Sequence, residues 1–145
     1  MAHYIFNFAN GDTAKLREDA ARFLRARMWS IDAGEPHSSA LSPGDLVLIY
    51  LGAPEREFIG RAELASAAHD WTSSEAKVYP GDSPGGVVLG HVEEWGPPVP
   101  MRTVLSQIDP RGNAKADFQA GVVRITASEY ETALAVAAGR ASSTG

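Results

Sequence analysis

A chain of 145 residues with 44% apolar and 21% charged side chains has room for one buried core, not two, and its composition is that of a soluble globular protein. The lack of cysteine excludes disulfides, thiolate metal sites and cysteine nucleophiles, and makes a reducing cytoplasm the expected compartment. A formal charge of −5 argues against a broad electrostatic grip on nucleic acid, which needs many Lys and Arg against phosphates, so any such contact must be local.

Met1-Ala2-His3 leads straight into an apolar stretch with no basic segment or small-residue cleavage site, so no secretory leader is expected. His3 to Phe8 is aromatic and β-branched and reads as a first strand. Asp12 is a candidate helix cap, and from Thr13 the residues Leu16, Ala20, Phe23, Leu24 and Met28 form one apolar stripe. That periodicity predicts a helix packed on a sheet. Ala33 to Pro43, rich in Gly, Pro and Ser, reads as a surface loop long enough to carry function.

Leu46 to Leu51 is a continuous apolar run, expected of a central strand covered on both faces and far shorter than the roughly 20 residues that span a bilayer. Membrane insertion is therefore not expected. Phe58 to Leu64 returns as its hairpin partner, with Gly60 suited to a bulge. Between His69 and Gly86 the chain turns polar and Pro/Gly-rich, and Pro80 to Gly86 reads as an evident loop. Val87 to Trp95 is a further strand, which the prolines of Gly96-Pro97-Pro98-Val99-Pro100 are expected to stop. Arg102 to Ile108 suits a short helix and Gly121 to Ile125 a last strand. Thr126 and Glu129 have capping-box spacing ahead of a helix with the stripe Tyr130, Ala133, Leu134 and Ala137, for which Gly139 is a plausible stop. Residues 1–138 then form a single domain and 139–145 a flexible tail. Strands in series, with one early and one late helix, fit an α+β barrel better than alternating βαβ units.

No phosphate loop, dinucleotide fingerprint, GxSxG elbow or HExxH pair is present, and no catalytic set emerges. His3, His37, His69 and His91 lack ligand-like spacing, so neither a metal nor a cofactor is expected. Adjacent strand residues Glu93 and Glu94 point to opposite faces and read as surface charges. Arg17, Arg22, Arg25 and Arg27 precede Trp29 and read equally as a local basic patch or a solvated helix face. Trp29 reads either as a lid on the core or as one wall of a binding site; Trp71, among polar neighbours, favours the site; Trp95 favours the core.

His3-Tyr-Ile-Phe6, Met28-Trp29-Ser30-Ile31, Pro43 to Tyr50 and Phe58 to Ala62 resemble, in order, segments of EVE domains. Val92-Glu-Glu-Trp95 with Val99-Pro100, Leu105, Ile108 and Phe118-Gln119 resemble the matching stretch of YTH domains, both groups within the PUA-like superfamily. The resemblance spans roughly residues 3 to 138. It departs after the first strand, where Asn7-Phe8-Ala9-Asn10 replaces a Lys-Ser-Glu-Pro type stretch found in many EVE proteins.

The resemblance implies a PUA-like curved β-barrel of about five or six strands with flanking helices. It also implies a pocket for a flipped modified base, a methylated adenine in YTH domains and a methylated cytosine in some EVE domains. Carried over residue by residue, Trp29 and Trp71 are the two walls and the Ser30 backbone is a nearby donor or acceptor. Asn7 and Asn10 read the base edge, with turn or cap roles as the alternative. Phe118 or Gln119 closes the site, and Arg25 and Arg27 meet phosphates. The function this implies is non-catalytic binding of DNA or RNA carrying a modified base; the alternative is a small-molecule or free-nucleoside sensor using the same pocket. A hydrolytic RNA-processing role has no catalytic set to support it.

Overall fold

Burial on both faces governs the architecture. A computed structural model describes residues 2–8, 13–31, 35, 38–52, 56–81, 83–108 and 122–143. In order these form β1 (His3–Phe8), α1 (Thr13–Ala26), β2 (Met28–Ser30), a 3-10 turn (Ser38–Ala40), β3 (Leu46–Leu51), β4 (Glu57–Leu64), β5 (His69–Asp70), α2 (Ser73–Val78), β6 (Gly85–Pro100), α3 (Met101–Ile108), β7 (Val122–Ile125) and α4 (Ala127–Ser143). The seven strands make one mixed, curled half-barrel sheet in the order β2-β6-β4-β3-β1-β7, with β5 pairing to β6. Only β1 and β3 run parallel.

The period-2 alternation of strands splits the core in two. Tyr4 and Phe6 of β1 and Val47, Ile49 and Leu51 of β3 face one cluster, completed by Ala20, Phe23 and Leu24 of α1. Ile5, Leu48 and Tyr50 face the other, completed by Val104 of α3 and Tyr130 and Ala133 of α4. This is why Leu46–Leu51 is apolar at every position. The buried carboxylate of Asp45 accepts from the amides of Ala2 (2.9 Å) and Ser42 (3.0 Å), tying the turn before β3 to the chain entering β1.

The capping box ahead of α4 is present: the Thr126 amide donates to Glu129 Oε1 at 2.8 Å and the Glu129 amide to Thr126 Oγ1 at 3.0 Å. Ile59 is the bulge at which pairing of β3 with β4 shifts register. At Gly60 a Cβ would stand 2.3 Å from the Glu93 carbonyl oxygen, so the close approach of β4 to β6 requires glycine.

Several sequence expectations are corrected. The prolines do not end β6. Residues 95–98 bulge outward between the pairs Gly60↔Glu94 and Phe58↔Val99, and the ladder then resumes through Pro100. A missing proline amide costs nothing inside a bulge, where no ladder bond is called for. Gly139 does not stop α4; its φ is not in the left-handed region that a glycine cap adopts, and the helix continues to Ser143. The polar stretch after His69, for which no element is expected, contains β5 and α2, the latter started by a second capping box between Thr72 and Glu75. Asp12 lies outside the described residues. Among those described, no helix is long and apolar enough to cross a membrane.

Leu48 lies in the central strand and is 1% exposed. Leu48→Ala is expected to cost about 2–5 kcal/mol and lower the melting temperature by roughly 5–15 °C, measured by thermal denaturation.

Candidate functional site

The start of β6 is squeezed between two short strands. Ser30 of β2 and His69 of β5 both pair with Gly86, one from each side. A Cβ on Gly86 would stand 2.0 Å from the Trp29 carbonyl oxygen, and one on Gly85 would stand 2.5 Å from that of His69. No other residue type permits both approaches.

Around this crossing lies a cavity of about 230 Å3. Gly85, Gly86 and Ile31 line it together with the polar residues Ser38, Ser39, His69 and Asp70. The loop from Ala33 to Pro43, expected to carry function, thus contributes two hydroxyls. Drug-sized ligand sites run about 300–1,000 Å3, so this one is below that range and has room for a small ligand only. Asp70 offers only acceptors when ionised, and the serines offer both donor and acceptor.

His69 is the fixed point of the lining. Its Nδ1 lies 2.8 Å from the Ala67 carbonyl oxygen and its Nε2 lies 2.9 Å from Glu75 Oε1, so each ring nitrogen faces an acceptor. The Ala67 carbonyl and then the Glu75 carboxylate raise its pKa above the ordinary histidine value. The same arrangement lowers that of Glu75, chiefly through the Thr72 amide and then His69. Two acceptors on one imidazole favour the doubly protonated cation.

Next to His69 the aromatic rings form a continuous row of contacts, tilted, stacked and edge-on in turn. Trp71 meets Tyr79 at 4.9 Å between centroids, Tyr79 meets Phe23 at 5.5 Å, and Phe23 meets Trp29 at 5.8 Å. Trp29 also touches Phe6 and Phe8 and is only 3% exposed. The expected sandwich of a base between Trp29 and Trp71 is therefore corrected: Phe23 and Tyr79 occupy the space between the indoles, and Trp29 is core. Trp71 is half-buried, donates its indole N–H to the Ser83 carbonyl at 3.0 Å and packs edge-on against His69 at 5.7 Å.

Ser30, with its backbone in the β2–β6 ladder, stands one residue from the cavity wall. Asn7 does not join it. By strand alternation it shares the face of Ile5, whereas Phe6 packs on the face of Trp29, so a role beside Trp29 is corrected as well. Arg25 and Arg27 are exposed at the junction of α1 with β2, Arg27 with a left-handed φ of 59°. Asn10, Phe118 and Gln119 lie outside the described residues. Among the described residues, no group of three or more His, Asp or Glu is arranged to hold a metal.

Sequence reasoning missed His69, Asp70 and the two serines. The local signals near them are the Gly85-Gly86 pair, which marks a close backbone approach, and the Thr72-x-x-Glu75 box, which marks the start of α2.

No protein-family model matches the chain, and neither does any curated protein sequence. Solved structures do. Human THYN1, in complex with 5-methylcytosine-containing DNA, superposes with a TM-score of 0.64 at 12% identity, over 94% of this chain and 98% of that one. A hypothetical protein from Leishmania major gives 0.63 at 18% identity over 97% and 96%. An ASCH protein from Zymomonas mobilis gives 0.58 at 11% identity over 93% and 95%. The chain therefore has the PUA-like α+β fold, the fold implied by its resemblance to EVE domains.

Two outcomes follow from the crossing. Gly86→Ala is expected to force β2 off β6 and destabilise the protein by about 1–3 kcal/mol, read as a lower melting temperature. The raised pKa of His69 contributes stability that is complete below about 6.5 and lost as pH rises through its folded value; the lowered pKa of Glu75 contributes stability present above about 4.5 and lost in acid. The pair is expected to raise the melting temperature most between those limits, with a fall on the alkaline side as His69 loses its proton. Glu75→Gln keeps the cap acceptor and should flatten that fall.

Proposed function

We propose that this chain binds nucleic acid carrying a modified, methylated base and holds that base, without reacting with it, in the cavity between β2 and β5. The observation that carries this reading is a small cavity with an ionisable acceptor and two hydroxyls in its lining. The shared fold with THYN1, seen in complex with 5-methylcytosine DNA, supports it at the level of architecture.

Asp70 accepts from an exocyclic amino group, the feature cytosine and adenine share. Ser38 and Ser39 meet the neighbouring edge positions, and a methyl group gains by leaving water against Ile31, about 0.8 kcal/mol per carbon. His69, backed by Trp71, forms a rigid cationic side that suits an electron-rich ring. Arg25 and Arg27, beside the entry to β2, meet the backbone phosphates. DNA and RNA are both compatible with this chemistry. The net charge of −5 favours a second reading, in which the same cavity takes a free nucleoside and polymer contacts add little.

Titration with oligonucleotides containing methylated cytosine, methylated adenine or no modification, followed by tryptophan fluorescence, tests this. A methylated strand is expected to bind several-fold tighter than its unmodified match, and Asp70→Ala to weaken binding about tenfold or more, the loss of one well-placed hydrogen bond to a charged group. Affinity should fall with salt, and the Arg25→Ala/Arg27→Ala double variant should reduce that slope by about 1–2. Salt-independent binding of the free nucleoside would select the second reading. Indifference to both methylation and Asp70→Ala would remove the cavity from consideration.

A further inference from the structure

α2 is six residues long and buries none of them, so neither helix propensity nor core packing holds it. Its end is fixed by Tyr79, which packs on Phe23 of α1. Its start is fixed through Glu75, whose Oε1 accepts from the Thr72 amide at 2.9 Å and, at the same distance, faces His69 Nε2. The equivalent box of α4, Thr126 with Glu129, has no histidine on its carboxylate among the described residues. One oxygen of Glu75 thus joins α2 to the cavity between β2 and β5, because His69 belongs both to β5 and to the cavity lining.

The imidazole can serve both of its partners in only one protonation state. The cation has two N–H donors, one for Glu75 at Nε2 and one for the Ala67 carbonyl, 2.8 Å from Nδ1; the neutral ring has a single donor. Loss of the proton therefore sets a lone pair against an acceptor at one end of the ring, and one of the two contacts must open. Ser66 Oγ, 3.5 Å from Nδ1, is no substitute, since it donates to the Ala67 carbonyl and accepts from the Val88 amide. The charged groups acting on the ring are Glu75 of α2 and Asp70 of β5, both acidic, while Trp71 meets it edge-on and β6 brings only Gly85 and Gly86. Among the described residues no cation there opposes the charged form.

We propose that the proton on His69 is a latch for this cavity: the imidazolium clamps β5 to α2 and keeps the wall of Ala68, His69 and Asp70 in place, and the neutral ring releases it. The two acceptors that raise the pKa of His69 bring the change towards neutral pH. β5 pairs with β6 through two residues only, followed by the Trp71 amide on the Pro84 carbonyl, so few bonds hold this wall once the clamp opens. The latch is a property of the free protein; its consequence for a ligand, tighter binding in the protonated state, rests on the methylated-base reading. Linkage makes that coupling reciprocal, so a ligand that prefers the latched form also tightens the proton on His69.

Amide exchange of the full chain, followed by NMR from about pH 5.5 to about pH 8.5 alongside the His69 ring signals, tests this. With intrinsic base catalysis divided out, protection of the Trp71 and Thr72 amides should fall as His69 loses its proton, by about tenfold for each pH unit by which the latch holds the histidine above its free value. The Thr126 amide of α4 should stay level. In Glu75→Gln the side-chain amide can donate or accept, so it serves either state of the ring and the fall should vanish. A strand carrying methylated cytosine, titrated at constant salt, should lose affinity through the same midpoint and keep it in Glu75→Gln. Protection that ignores the His69 titration, a fall that Glu75→Gln retains, or binding indifferent to pH would overturn the latch. Exchange that follows His69 with no binding at any pH would sustain the latch and remove the methylated-base reading.

Discussion

Everything at the candidate site depends on how closely three backbones approach at Gly85 and Gly86. Strands normally meet with side chains to spare on either face, but here β2 and β5 close on the first residues of β6 so tightly that a methyl group would collide with a carbonyl on each side. That contact brings Ile31, at the end of one strand, within reach of His69 and Asp70 on another. Residues about forty positions apart in sequence become the walls of one small cavity.

The row of aromatic rings shows how a residue suited to ligand binding can be used for the core. Trp29 sits where the chain leaves α1, a position that the resemblance to YTH and EVE domains makes a wall. Its surroundings, Phe6, Phe8 and Phe23, instead bury it in the cluster beneath α1. Trp71, at the far end of the row of rings, is half-buried and donates its indole N–H to the Ser83 carbonyl. Contact with the cavity passes from Trp71 to His69, a side chain whose two nitrogens are both tied down.

Much of the fold was legible because its signals are local. The aromatic and β-branched composition of β1, the unbroken apolar run of β3 and the Thr126/Glu129 box each declare their element within a few residues. The short strands β2 and β5 were not, since three or two residues carry no periodicity and are ordered only by pairing with β6. The candidate site was half legible for the same reason. The neighbourhoods of Ser30 and Trp71 could be picked out, whereas the faces of Asn7 and Trp95 depend on strand parity and on a bulge whose size no local pattern sets.

The irregularities of β6 also lock it lengthwise. It is fixed at its start by glycines that no neighbouring residue can replace, and along its length by register shifts opposite Phe58/Gly60 and Arg61/Glu63, the second marked by the left-handed φ of His91. Moving such a strand by one residue would carry every side chain to the other face. The register of β6 is thus set at several points along its length, and the place of the cavity at Gly85 and Gly86 along the sheet is set with it.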